Sequence, residues 1–305
     1  MTRKPIYVII DAPSNLGLRP TGIESLPDAL KEAGLIRALD AKLVALVQPN
    51  NKYDFKRDKD THLLNANSIR DFSIDLSYVV SHQIKQNFFP IVLGGDCSIL
   101  IGIMLGLRRM NRYGLFFIDG HSDFYQPSTS PTGEVADMDL AIVTGRGPNI
   151  LADIEGLKPL VKDKDVVVFG YRDADEAARY GSQNVKESDM HLFDLPKIKE
   201  LQVQLAASTA VNQLLMNNKK GFWVHLDADV LNDNVMSAVD YRMEDGLDLS
   251  ELSKVLRILI SSQYAVGMSI TIFNPKLDVD GSIARNFVSS IVSGLRSSQD
   301  TYQEL

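Results

Sequence analysis

Residues 114–123 have the sequence Gly-Leu-Phe-Phe-Ile-Asp-Gly-His-Ser-Asp, in which a short apolar run leads directly into two acids and a histidine. An apolar run without polar alternation is typical of a strand that is buried on both faces of a parallel sheet. Ligands of such sheets bind beyond the carboxyl ends of the strands. This stretch therefore predicts both a class of fold and the place where a functional site would lie.

Similar apolar runs recur along the chain and alternate with amphipathic stretches. The other predicted strands are Ile6–Ile10, Leu43–Val47, Pro90–Leu93, Asp165–Phe169, His191–Phe193, Phe222–Leu226 and Ala265–Ile272. The predicted helices are Ser25–Ala33, Asp71–Gln86, Ile99–Arg109, Leu201–Asn217, Leu249–Ser261 and Ile283–Leu295. Strands that alternate with helices indicate an open α/β sheet. Because no internal repeat or linker interrupts the pattern, we expect one domain over residues 1–305.

The composition excludes several classes of protein. The 305 residues are 45% hydrophobic and 23% charged, which is ordinary for a globular chain and unlike a disordered or disulfide-stapled one. The net charge of −7 argues against nucleic acid or an anionic membrane surface as a partner. No apolar run approaches the roughly 20 residues of a membrane span, and Ile6–Ile10 is too short for a signal peptide. The single cysteine, Cys97, cannot form an internal disulfide, so we expect a cytoplasmic protein.

Two more predicted strands end in polar clusters. Pro90–Leu93 is followed by Gly-Gly-Asp-Cys-Ser (94–98), and Phe222–Leu226 is followed by Asp-Ala-Asp (227–229). At an extended strand end, residues i and i+2 point the same way, so Asp119 can converge with His121, and Asp227 with Asp229.

A group of acids and imidazoles is costly to desolvate unless cations neutralise it. Carboxylate and imidazole ligands suit Mn²⁺, with Zn²⁺, Fe²⁺, Ni²⁺ and Co²⁺ as competitors. Each motif alone is more often an ordinary turn than a metal site, but the three together favour a metal site. His225, two residues before Asp227, is either a supporting group for that site or an ordinary strand residue.

In order and separation, the three clusters resemble those of the arginase/agmatinase/formiminoglutamase (ureohydrolase) family. The resemblance extends over nearly the whole chain, through Ile9–Ser14, Gly22–Glu24, Leu30–Leu35, Gly246-Leu247 and Asn274-Pro275. It implies a three-layer α/β/α sandwich with a mainly parallel eight-stranded sheet, and a homo-oligomer, either trimer or hexamer. It also implies a hydrolase with two Mn²⁺ ions that cleaves a linear C–N bond of a guanidino, amidino or formimino small molecule.

The resemblance also implies a ligand set. Asp119, Asp123 and Asp227 match ligands of the first metal; Asp119, His121, Asp227 and Asp229 match those of the second. Asp123 and Asp229 are in addition our catalytic candidates. The remaining first-metal ligand of the family is a histidine, and Cys97 stands in its place. Cys97 is either a thiolate ligand, which would shift preference toward Zn²⁺, Ni²⁺ or Fe²⁺, or a buried near-neutral residue beside a weak or empty site.

Two further departures concern the substrate. Ala136 stands where arginases of the family carry a histidine that shuttles protons, and Ile272 stands where an acid pairs the guanidinium. Glu134, Asp137, Asp139 and Arg146 lie nearby in sequence and could supply a substitute acid or bind an anionic group. We expect Glu134, Asp137 and Arg146 to bind substrate, with loop surface charge or helix N-terminal acids as the alternative. These departures keep a second function open, a catalytically impaired member that serves as a binding or regulatory protein. A dinucleotide enzyme is disfavoured, because no Gly-x-Gly-x-x-Gly follows the first strand.

Overall fold

The fold is built around an eight-stranded sheet. The structure is a computed structural model and describes residues 5–217, without the side chain of Asn217, and residues 220–296. The strands are β1 (Tyr7–Ala12), β2 (Lys42–Leu46), β3 (Phe89–Gly94), β4 (Gly114–Ile118), β5 (Val166–Phe169), β6 (His191–Phe193), β7 (Phe222–Asp227) and β8 (Ala265–Thr271). Their spatial order is β2-β1-β3-β8-β7-β4-β5-β6. Every pairing between them is parallel, so the sheet is fully and not just mainly parallel.

All eight predicted strands are present, each within two residues of its predicted limits. The late strands β7 and β8 lie between β3 and β4, so the carboxyl ends of β3, β8, β7 and β4 are neighbours. This placement brings the three polar clusters to one edge of the sheet. The termini of the predicted single domain, residues 1–4 and 297–305, lie outside the described part of the chain, and the extent of that domain stays a prediction.

Helices cover both faces of the sheet. They are α1 (Leu26–Glu32), α2 (Leu35–Leu39), α3 (Ala66–Lys85), α4 (Ile99–Met110), α5 (Asp139–Val143), α6 (Asn149–Ala152), α7 (Ala174–Arg179), α8 (Leu195–Leu201), α9 (Val203–Asn217), α10 (Leu249–Ser261) and α11 (Ser282–Leu295). One buried core joins the sheet to α3, α4, α5 and α6, and the other joins its opposite face to α1, α2, α8, α9, α10 and α11. The predicted three-layer α/β/α sandwich is confirmed.

The helix predictions hold best for the long amphipathic segments. Helix α3 begins five residues earlier than expected, because its apolar stripe already starts with the buried Ala66 and Ile69. Helices α2, α5, α6, α7 and α8, of four to seven residues, were not predicted. Segments of this length are too short to display a helical period in sequence.

The turn after β3 is fixed by close packing and a buried acid. A Cβ on Gly95 would lie 1.7 Å from the carbonyl oxygen of Ser14, so only glycine fits there. Asp96 is fully buried and accepts hydrogen bonds from the amides of Gly17 (3.0 Å) and Ser98 (2.8 Å). The loop after β1 and the start of α4 are thereby tied together, which sets the position of Cys97.

Candidate metal centre

Asp119 lies at the centre of the polar cluster beyond β3, β4 and β7. Its carboxylate belongs to three groups of potential ligand atoms, and within each group these atoms lie within 4.8 Å of one another. The groups pair it with His121 and Asp123, with Asp227 and Asp229, and with Cys97 and His225. The structure thus brings together all six residues of the predicted ligand set and adds His225.

Backbone amides and one imidazole orient these acids. The amide of His121 donates to Asp119 Oδ1 (2.6 Å), and the amide of Asp229 donates to Asp227 Oδ1 (2.7 Å). The imidazole Nδ1 of His121 lies 2.9 Å from Asp229 Oδ2. Asp119 Oδ2 is buried and has no hydrogen-bond partner in the described structure. An unpaired buried carboxylate oxygen among other acids fits a position where a cation binds.

Cys97 lies directly against the acids. Its thiol donates a hydrogen bond to Asp227 Oδ2 at 2.8 Å, and its Sγ lies 3.2 Å from Thr271 Oγ1. Thr271 is the register partner of Asp227 on β8, so the contact is set by the pairing of two strands. Burial, and next the charge of Asp227, raise the pKa of the Cys97 thiol well above its usual value. Without a cation, this residue is therefore a thiol and not a thiolate.

The charges in the cluster are unbalanced. Burial raises the pKa of Asp119, and the charges of Asp227 and Asp229 raise it further. Burial alone would lower the pKa of His121, but the neighbouring Asp229 raises it to about 9. Burial also raises the pKa of Asp123, which shares a hydrogen bond with the carboxyl of the buried Asp139. Divalent cations would relieve this repulsion, and carboxylate, imidazole and thiolate donors are all suitable for them.

An open cleft of about 220 Å³ leads to these residues. Its wall includes Ala136 and Ile272, the two apolar departures, together with Glu134 and Asp137. The other polar side chains that line it are Tyr125, Thr132, Asp173, Glu176, Tyr180 and Tyr241, besides Cys97, His121, Asp123, Asp227 and Asp229 of the metal centre. Among the described residues that line it, none is a lysine or an arginine.

Two of the three predicted substrate-binding residues lie in the cleft. Glu134 is 1% exposed and accepts a hydrogen bond from the Tyr241 hydroxyl at 2.7 Å. Arg19, at the surface, lies 3.3 Å from its other oxygen. Burial raises the pKa of Asp137 to about 7, although the Ser130 hydroxyl donates to it at 2.9 Å.

Arg146 lies outside the cleft. Its guanidinium pairs with Asp163 (2.6 Å), donates to Thr144 Oγ1 (2.8 Å) and stacks over the Phe124 ring at 4.8 Å. A guanidinium that is already paired with an acid and stacked on a ring is less available to a substrate, so the substrate site that we propose does not include Arg146.

Sequence reasoning missed part of the cleft wall. Asp173 follows the carboxyl end of β5 and accepts a hydrogen bond from the Ser122 hydroxyl at 2.8 Å. The rule that found the metal ligands, acids just beyond strand ends, would have found Asp173 had it been applied to β5. Tyr125, Glu176 and Tyr180 lie on loops or short helices and carry no comparable signal.

Comparison with known proteins identifies the family. Residues 6–295 match the model of the arginase family. An arginase of Staphylococcus aureus (strain MRSA252) is 31% identical over 301 residues, which cover 95% of this chain and 97% of that protein. The arginase structure from Bacillus caldovelox superposes with a TM-score of 0.87 at 26% identity, covering 97% of this chain and 99% of that one. Proclavaminate amidino hydrolase from Streptomyces clavuligerus (TM-score 0.67, 17% identity, 96% and 92% covered) shows a similarity of fold alone.

Among residues 5–217 and 220–296, no helix is long and apolar enough to cross a membrane. The match over 6–295 and the curated relatives confirm the resemblance drawn from the three strand-end clusters: this chain belongs to the arginase family.

Proposed function

We propose that this protein is a metal-dependent hydrolase that cleaves a linear C–N bond in a small guanidino, amidino or formimino compound. The observation that carries the proposal is the position of Asp119, a buried acid that belongs to all three groups of potential metal ligands at one sheet edge. One of its carboxylate oxygens has no hydrogen-bond partner among the described residues. Membership of the arginase family supports the class of reaction, since relatives that match nearly the whole chain are named arginases. The alternative, an impaired member that only binds, is not favoured.

The chain's own residues would divide the work. Following the family pattern, His121 and Asp229 would hold one ion and Asp123 and Cys97 the other, with Asp119 and Asp227 as ligands of both. The contacts His121 Nδ1–Asp229 Oδ2 (2.9 Å) and Cys97 Sγ–Asp227 Oδ2 (2.8 Å) support this division. Two divalent ions bound here, in the simplest case Mn²⁺, would supply the Lewis acidity that makes water a nucleophile at neutral pH. Asp123 faces the cleft and shares a hydrogen bond with Asp139, so this pair can hold a proton beside the reacting group. Asp229 Oδ2 holds the imidazole of His121 in place.

The cleft selects for positive charge. Its acids include Glu134, Asp137, Asp173 and Glu176, and none of its described lining residues is a lysine or an arginine. The basic side chain that pairs with Glu134 is Arg19, which is 65% exposed and is not among those lining residues. Ile272 is 5% exposed and cannot counter a guanidinium charge from its place on the wall. We therefore propose a cationic amidine or guanidine without a carboxylate as the substrate class, bound through the acids of the wall.

A panel assay tests this proposal. Protein reconstituted with Mn²⁺ or Zn²⁺ is incubated with pairs of guanidino and amidino compounds that differ only by a carboxylate, and release of urea, ammonia or formamide is measured. We expect turnover that requires metal, favours the member without the carboxylate and disappears in Asp119→Asn. Asp75→Asn, an exposed acid on α3, serves as the matched control and should retain activity. A protein that holds two ions per chain and turns over no member of the panel would support the binding-protein alternative.

Three further expectations belong to this proposal and stay predictions: a small molecule as the partner, a trimeric or hexameric homo-oligomer, and a cytoplasmic location. Light scattering coupled to size exclusion tests the second, and fractionation of the native host tests the third.

A further inference from the structure

The geometry points to His225 as a direct protein ligand of the ion beside Cys97, an inference that rests on the proposed metal-dependent function. Sequence analysis gave His225 at most a supporting role. The structure places His225 in β7, two residues before Asp227, so the two side chains lie on the same face of the strand.

The imidazole of His225 is rigidly held. It is fully buried, and its ring stacks on Phe117 with centroids 5.0 Å apart and an interplanar angle of 12°. Its Nδ1 lies 2.9 Å from Ser269 Oγ, which also accepts a hydrogen bond from Trp223 Nε1 at 3.0 Å. One ring nitrogen is therefore fixed by the neighbouring strand, and the ring has no freedom to turn toward solvent.

The other ring nitrogen has no partner. Nε2 is buried and makes no hydrogen bond to any described residue. A buried polar atom without a partner is unfavourable and requires an explanation. A ring nitrogen of His225, the Cys97 sulfur and an Asp119 carboxylate oxygen lie within 4.8 Å of one another. For three atoms at this limiting separation, a common point lies about 2.8 Å from each, against a zinc–ligand bond length of about 2.0–2.3 Å, so one ion can contact all three after each side chain shifts by roughly half an ångström.

The contact between Nδ1 and Ser269 Oγ permits this role, because Nδ1 can be either the donor or the acceptor in it. When Nδ1–H donates to Ser269, the lone pair lies on Nε2, the tautomer that binds a metal. The donor set would then be sulfur, nitrogen and oxygen, which selects Zn²⁺ or Co²⁺ over Mn²⁺. The opposite half of the centre, formed by His121, Asp227 and Asp229, is richer in oxygen. The two positions should therefore prefer different metals.

Cadmium-113 NMR of the intact protein tests the inference without any substitution. The chain has five histidines, and ¹⁵N labelling of these residues makes a cadmium–nitrogen scalar coupling directly visible. We expect two bound ¹¹³Cd ions per chain, one of them coupled to the Nε2 of His225 and shifted toward the thiolate range. Two bound ions with no coupling to His225 would overturn the inference and leave the proposed hydrolase intact. Absence of any bound ion would overturn both.

Substitutions give an independent readout. We expect the site beside Cys97 to bind Zn²⁺ more tightly than the other site. In His225→Ser its Zn²⁺ affinity should fall at least about 100-fold, more than the loss of a supporting residue usually causes. His82→Ser, an exposed histidine on α3, is the matched control and should leave zinc binding unchanged. The double variant Cys97→His/His225→Ser should bind a second ion again but lose the thiolate-to-cobalt charge-transfer band of the Co²⁺ form. A folded His225→Ser that binds two zinc ions with unchanged affinity contradicts the inference; if it does not fold, the NMR experiment decides.

Discussion

Metal binding at the His121 half of the centre should release protons and strengthen steeply between pH 7 and pH 9. The imidazole must be neutral to bind a metal, but the Asp229 carboxylate 2.9 Å away raises its pKa to about 9 against the effect of burial. At pH 7, two units below this pKa, only about 1% of His121 is neutral. The metal affinity should therefore be about 100-fold lower at pH 7 than at a pH well above 9, a difference of about 2.7 kcal/mol in binding free energy. Carboxyl groups with raised pKa values, such as Asp119, add to the release of protons.

The same pKa shift contributes to the pH dependence of the stability of the metal-free protein. Because the pKa of His121 is raised on folding from 6.5 to about 9, its pair with Asp229 stabilises the fold fully below pH 6.5. The contribution, up to about 3.4 kcal/mol, is lost as pH rises through 9. Removing metal should therefore leave a protein whose unfolding free energy falls between pH 6.5 and pH 9.

Calorimetry under anaerobic conditions measures both quantities. Titration of Co²⁺ or Mn²⁺ in two buffers of different ionisation enthalpy gives the number of protons released, which should be at least about one at pH 7 from His121 alone. Asp229→Asn removes the main support of the His121 pKa together with a proposed ligand, so the number of protons released per bound ion should drop by about one while that ion binds more weakly. Equal affinities at pH 7 and pH 9 with no proton release would refute the assignment of the His121–Asp229 pair to the metal centre.

The remaining predictions concern the acids and the thiol. Asp119→Ala and Asp227→Ala should each abolish binding of both ions, whereas Asp75→Ala should not; two ions retained in elemental analysis would mean that the site is misplaced. Cys97→His should bind Mn²⁺ more tightly, and an unchanged metal preference would exclude Cys97 as a ligand. Asp137→Asn should stabilise the protein by up to about 4 kcal/mol at pH 8 and about 1.5 kcal/mol at pH 5, because burial raises the pKa of Asp137 to about 7. Urea denaturation that shows the same gain at both pH values would contradict this.

The metal cluster was predictable because strand ends in a parallel sheet meet. Once β3, β4 and β7 were recognised by their apolar runs, the polar clusters that follow them were expected to share one edge. The structure places Asp119 within reach of a residue from each cluster, among them Cys97, His121 and Asp227. The order that inserts β7 and β8 between β3 and β4 was not predictable from the runs themselves. It depends on long-range packing that no local pattern encodes.

The cleft wall was less predictable for the same reason. Tyr241 reaches Glu134 across 107 residues of chain, a contact that neither loop indicates alone. Arg146 has the chemistry of a substrate ligand but lies beside Asp163, which binds its guanidinium instead. The sequence shows which residues have side chains that could bind a substrate. Whether another side chain of the protein binds them instead depends on the tertiary fold.

The three departures from the family pattern that the sequence analysis identified all lie at the site. Cys97, Ala136 and Ile272 all line the cleft, while the buried turn held by Asp96 is intact. Buried carboxyls that raise one another's pKa destabilise a metal-free fold, so a chain that had lost its metals would gain stability by replacing them. This chain keeps these acids but has Cys97 in place of a histidine ligand, and Ala136 and Ile272 in place of polar residues of the cleft wall. An altered preference for metal and substrate explains that combination better than loss of the reaction does.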